Sequence, residues 1–134
     1  MKQLQNKSEK DRVFKVIDKA IKEYDDDNQA ADFIQQKLVK DILNIFLPLH
    51  EESKGEEGFV SIQGDPNQDI DPSHIIDEAL RYKKLGKNFI TKIPVTEAGL
   101  EALEALIPED MAMIATEVTG ISQAIHTCEM YKRV

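Results

Sequence analysis

The chain has no apolar run approaching the ~20 residues needed to cross a bilayer. It has one cysteine, and 17 Lys and Arg against 25 Asp and Glu. Each shortage excludes something. Without a long apolar run, no membrane-spanning segment is expected. Cys128 alone makes no intrachain disulfide and fits a reducing compartment. A net charge of −8 with no basic stripe argues against a nucleic-acid partner and against docking on anionic membranes. A small anionic substrate stays compatible, because a local positive site can sit inside an acidic protein. The opening "MKQLQNKSEKDR" lacks the apolar core of a secretory signal, so the expected location is the cytoplasm. His50, His74 and His126 lie far apart, with neither HExxH nor Cys/His spacing, and read as surface or packing residues. "DDDN" and "EESKGEEG" lack the spaced ligands of a calcium loop. No glycine-rich phosphate loop follows any expected strand. Neither a metal nor a cofactor is expected.

What is present is one domain's worth of chain, residues 1–134, with 41% apolar and 31% charged residues. Val13, Phe14, Val16, Ile17, Ala20, Ile21 and Tyr24 recur at helical spacing. A second helix carries Phe33, Ile34, Leu38, Ile42, Leu43, Ile45 and Phe46, and is expected to stop near Pro48, before a polar loop that includes His50. From residue 58 the pattern changes. "GFVSIQGD" reads as a strand and a turn. "DPSHIIDEALRYKKLG" reads as a helix capped by Asp71 or Ser73 and closed by Gly86. "NFITKI" is a second strand, and "VTEAGLEALEALI" a helix that Thr96 caps. "MAMIATEVT" is a third strand, and "GISQAIHTCEMYKRV" a last helix, in which Cys128 with Ile121, Ala124 and Ile125 reads as core. Residues 1–57 are therefore helical and residues 58–134 run β-α-β-α-β-α. Such short connections imply a parallel sheet with right-handed crossovers. The strands read as apolar on both faces, as under helices. Three strands leave two unpaired edges. That suits a consecutive piece of a (β/α)8 barrel, preceded by two helices. The alternative is a small complete three-layer α/β domain, its first two helices covering one edge.

In β/α barrels the chemistry sits at the C-terminal ends of strands. Those ends here supply Gln63 and Asp65, then Lys92, then Thr116 and Glu117. Lys92 stands inside an apolar run, between Thr91 and Ile93. Desolvation favours the neutral amine, which can attack a carbonyl to give a Schiff base. A snorkelling strand-end lysine is the plainer reading. Gln63 alone equally reads as a loop-capping polar residue, and Thr116 as a residue of high β-propensity. Asp65 reads as turn chemistry, and Glu117 as structural.

The words around Lys92 weigh against the plainer reading. Lys92-Ile93-Pro94-Val95-Thr96-Glu97-Ala98-Gly99-Leu100 resembles the active-site segment of the transaldolase family, including its small fructose-6-phosphate aldolase-like members. "ATEVTGISQAI" matches the family's next strand through Thr116, Val118, Gln123 and Ala124, with Thr116 24 positions after Lys92. "FVSIQGD" places Gln63 where the family carries Glu or, in the aldolase-like members, Gln. The resemblance runs from about Gly58 to the C-terminus. It implies strands three to five of the barrel. "MKQLQNKS" would then follow the second strand.

The resemblance further implies a Schiff base on Lys92, with Gln63 and Thr116 holding water or a substrate hydroxyl beside it. Its chemistry would be transfer or cleavage of a dihydroxyacetone unit of a ketose phosphate, without metal or organic cofactor, in carbohydrate metabolism. The departures are equally specific. The family's first-strand Asp, its Thr-Asn-Pro motif, and the later Ser and Arg that hold the phosphate have no counterpart here. The expectation is a fragment or truncated product whose activity is incomplete in this form. The alternative is a non-catalytic remnant that self-associates through its open sheet edges. A different Schiff-base aldolase on the same fold is disfavoured by "IPVTEAGL".

Overall fold

A computed structural model describes residues 7–133. The readings that fall on residues 1–6 and on Val134, among them the start of "MKQLQNKS" and the end of the last helix, lie outside the described residues. The chain forms two compact units, Met1–Ile42 and Leu43–Val134.

The first unit holds α1 (Lys7–Glu23) and the first part of α2 (Asp27–Glu52). Tyr24 and Phe33 meet with ring centroids 5.4 Å apart, Lys19 and Lys37 lie over Phe33, and Arg12 pairs with Glu9 and Asp41.

The expected stop near Pro48 is wrong: α2 continues through the proline to Glu52. Pro48 removes one backbone donor, but the next turn is held from outside the helix. His50, expected in a loop, is helical and packs edge-on against Phe59 at 4.8 Å, while its Nδ1 lies 2.8 Å from the Glu57 carbonyl. Gly58, at φ 74, passes so close that a Cβ would lie 2.7 Å from both the His50 nitrogen and the Phe46 oxygen. The helix ends instead through Lys54 and Gly55, both at positive φ, where the Gly55 N–H donates to the His50 carbonyl.

The remaining elements are β1 (Val60–Gln63), α3 (Pro72–Lys83), β2 (Phe89–Pro94), α4 (Glu97–Leu106), β3 (Met113–Thr116) and α5 (Ile121–Arg133). The three strands are parallel, in the order β1-β2-β3. This is the expected β-α-β-α-β-α run, an open sheet consistent with part of a (β/α)8 barrel. The caps follow from the side chains. The Asp71 carboxylate accepts the Ser73 N–H at 2.9 Å, with Pro72 in the first turn, and the Thr96 hydroxyl accepts the Gly99 N–H at 3.0 Å. Gly86 does not close α3. Lys84 does so in ordinary right-handed conformation, and Gly86 instead packs beside Asn88 and Leu43.

Burial alternates along β2 from Phe89 to Ile93, and Pro94 at its end is buried as well. Phe89, Thr91 and Ile93 are buried under helices, while Ile90 and Lys92 are half-buried on the opposite face. Ile93 joins Ile75 and Ala79 of α3, Ala102, Leu103 and Leu106 of α4, and Met130 of α5 in one core, with Met113 and Ala115 against it. The expectation that helices cover both faces therefore fails. Ser61, Gln63 and Ile114, on the other face, are exposed. The core expected around Cys128 fails as well. Cys128 is exposed, Ile121 is 82% exposed and Ile125 50%. Helix α5 turns Met130 inward and leaves that apolar row outside. No described helix is long and apolar enough to cross a membrane.

Candidate functional site

Strand register decides which of the candidate residues meet. Gln63 pairs with Lys92, Lys92 with Ile114, and Pro94 with Thr116. Side chains two apart share a face, so Gln63, Lys92 and Thr116 all stand on the open face, at the C-terminal ends of three adjacent strands. Neighbouring strands lie about 4.8 Å apart. That puts Gln63 directly beside Lys92, and Thr116 one step further up on the other side. Lys92 is half-buried rather than enclosed, Thr116 likewise, and Gln63 is exposed. Two neutral polar side chains thus flank one amine on a face shared with Ser61, Ile90 and Ile114, while Pro94 at its upper end is buried.

The backbone beneath the site is held tightly. Gly99 lies against the strand end: a Cβ there would fall 1.8 Å from the Pro94 carbonyl oxygen, so only glycine lets the first turn of α4 sit at that position. Asn88 is 1% exposed, and its amide donates to the Leu43 and Gly58 carbonyls at 2.9 and 3.0 Å, anchoring the start of β2. After Thr116 the chain turns sharply, with Glu117 at φ 60, a left-handed conformation unusual for a side chain with a Cβ. Gln123 reaches back from α5 into this turn.

Acidic groups surround the strand ends. Burial raises the Asp69 carboxyl above its ordinary value, helped by the charges of Glu117 and Asp65. Burial likewise raises Glu78, on α3, against the opposing hydrogen bond from the Tyr82 hydroxyl at 3.0 Å. Glu78 reaches under the turn that follows Gln63, where a Cβ on Gly64 would lie 2.4 Å from its Oε2. A cavity of about 10 Å³, walled by residues that include Asp69, Glu78, Tyr82 and Lys92, lies here. Its size suits a single water. Among the described residues, no group of three or more His, Cys, Asp or Glu side chains is placed to hold a metal ion.

Sequence reasoning named Lys92, Gln63 and Thr116, and the register brings these three together. It missed Asn88, Gly99, Glu78 and the task of Gln123. Gly99 and Gln123 were visible only as letters in motifs. Nothing in the local pattern distinguishes Asn88 or Glu78 from other polar residues at element ends.

Comparison with known proteins bears on the same segment. The profile of the family described as Transaldolase/Fructose-6-phosphate aldolase matches residues 2–134. A transaldolase of Trichodesmium erythraeum is 35% identical over 97 residues, which are 71% of this chain and 26% of that protein. A transaldolase of Neisseria meningitidis is 32% identical over 97 residues, 71% of this chain and 28% of its own. Transaldolase 2 of a Nostoc species is 35% identical over 97 residues, 71% of this chain and 26% of its own. The matched segment thus spans about a quarter of the length of these curated relatives.

Proposed function

Given that the chain belongs to the transaldolase/fructose-6-phosphate aldolase family, we propose that its chemistry is Schiff-base formation by Lys92 with the ketone of a ketose phosphate. The reading rests above all on one observation: the register stands Lys92 on an open sheet face between Gln63 and Thr116.

The steps follow from the side chains. In its unprotonated form the Lys92 amine adds its lone pair to the ketone carbon, and the carbonyl oxygen takes up a proton. The carbinolamine loses water, leaving a protonated imine. That imine is an electron sink. When the bond between C3 and C4 breaks, its electron pair moves into the imine to give an enamine, and the C4 carbon leaves as an aldehyde. The C4 hydroxyl gives up its proton to a base. Gln63 and Thr116 are neutral, so they orient water and substrate hydroxyls without taking that proton. A general base is worth ~10²–10⁴ in rate. The two flanking residues therefore serve imine formation, and cleavage depends on a base outside the Gln63–Lys92–Thr116 row. In a complete enzyme the retained enamine carries the dihydroxyacetone unit to an acceptor aldehyde, or is released by water.

Borohydride trapping tests this. The protein is incubated with dihydroxyacetone or fructose 6-phosphate and reduced, and the adduct is mapped by mass spectrometry. The expected adduct is on Lys92, and Lys92→Met abolishes it. A folded protein with no adduct on Lys92 contradicts the proposal.

A further inference from the structure

The Schiff-base reading leaves Gln123 without a task, although its side chain makes five hydrogen bonds. Its Oε1 accepts from the Thr119 N–H at 2.9 Å, the Gly120 N–H at 3.0 Å and the Thr119 hydroxyl at 3.2 Å. Its Nε2 donates to the Val95 carbonyl at 2.7 Å and to the Glu117 carbonyl at 3.3 Å. The amide orientation is fixed, because one end meets backbone N–H groups and the other meets carbonyls. We propose that Gln123 is a positioning residue, whose amide clamps the end of β2 to the turn after β3 and so sets where Thr116 stands relative to Lys92. The proposal rests on the Schiff-base reading of Lys92.

The acceptor half of the amide has an ordinary explanation. Gln123 is the third residue of α5, and a side chain there commonly reaches back to the N-cap N–H. The donor half does not. Val95 is three residues beyond Lys92 and buried. Its N–H already donates to the Thr116 carbonyl at 2.9 Å, the last backbone link between the two strand ends. A continued parallel ladder would next offer the Val95 carbonyl a backbone N–H from β3. Glu117, at φ 60, turns the chain out of the ladder, and the Gln123 amide takes the vacated position. The same nitrogen also holds the Glu117 carbonyl. The turn and the strand end are thus tied through one side chain, next to the residue that must face the imine. β3 lies at the edge of the described sheet, with β2 as its one strand neighbour there, and this clamp adds a tie directly beside Thr116.

Two variants separate the halves. Gln123→Glu keeps an acceptor for Thr119 and Gly120 but places a carboxylate against two carbonyls. Gln123→Met removes both halves. The full chain is labelled with dihydroxyacetone and borohydride over a range of dihydroxyacetone concentrations, and Val95 amide exchange is followed by NMR. A misplacement near 1 Å can cost about 10²-fold in rate. The expected result for Gln123→Glu is a maximal labelling rate at Lys92 lowered about tenfold or more, an unchanged half-saturating concentration, and faster Val95 exchange. Gln123→Met behaves the same way where it folds. Wild-type labelling and exchange in a folded Gln123→Glu variant overturn the proposal, since Gln123 is then a helix cap only. If wild type itself takes no label, the Schiff-base reading fails separately. Val95 exchange then decides the clamp: unchanged exchange in Gln123→Glu overturns it, and faster exchange supports it.

Discussion

The two faces of β2 solve opposite problems with adjacent residues. Phe89, Thr91 and Ile93 are buried against helices, and Ile93 sits in the core of Ile75, Ala79, Leu103 and Leu106. Ile90 and Lys92 stand half-buried on the open face, beside exposed Gln63 and Ile114. One face supplies folding free energy through apolar area removed from water. The other spends little of it and carries the polar groups. Because side chains alternate, a strand of six residues holds Lys92, the proposed nucleophile, in place with the neighbours on either side of it. Substitutions one position apart therefore have separable consequences.

The substitution that breaks this separation is Gly99→Ala. An added Cβ has no room against the Pro94 carbonyl oxygen, and the blocking atom is backbone. Either α4 or the end of β2 moves. The expected loss is about 3 kcal/mol or more, at the upper end for overpacking, with Lys92 labelling lowered in the protein that still folds. Urea denaturation together with adduct mapping checks both; wild-type values in both would show that the strand end tolerates displacement.

Ile93→Ala sharpens the comparison. Ile93 is buried in the core, so its truncation costs about 2–5 kcal/mol. Lys92 labelling, measured per folded molecule under stabilising conditions, stays at the wild-type level. A parallel fall in labelling would mean that the two faces are not independent.

The smallest effect is electrostatic. Burial raises the Glu78 carboxyl above its ordinary value, so the folded protein holds that proton more tightly than the unfolded chain. Stability is then highest below the usual carboxylate range and falls as pH rises through the raised value. The slope is at most about 1.4 kcal/mol per pH unit for one proton. Asp69, also raised by burial, acts with the same sign. Urea midpoints across mildly acidic pH, compared between wild type and Glu78→Gln, isolate the Glu78 share. A variant with the wild-type slope would show that Glu78 makes no contribution.

Much of this was legible in the sequence. Helix and strand order followed from apolar spacing, and the caps at Asp71 and Thr96 from residue type. The Lys92–Gln63–Thr116 row followed from strand ends and a motif. What was not legible depends on contacts between distant residues. Pro48 reads as a stop because the sequence does not show His50 seated on Phe59. Ile121, Ala124, Ile125 and Cys128 read as a core stripe because periodicity marks an apolar face without saying what covers it. The strands read as covered on both sides because apolar Ile90 and Ile114 share the open face with Lys92. Gly99 was legible as a motif letter, but its reason, a carbonyl in the way of a Cβ, is purely three-dimensional. Gln123 could be read as a helix-start residue, and its link to Val95 spans 28 positions.

The most direct test of the account compares Lys92→Met with Ile93→Ala in one experiment. Each protein is denatured in urea and, separately, treated with dihydroxyacetone and borohydride, with the label located by peptide mass. The account predicts that Lys92→Met keeps its fold and loses the label, while Ile93→Ala loses stability and keeps the label on Lys92. Equal labelling of wild type and Lys92→Met, spread over other lysines, would contradict it.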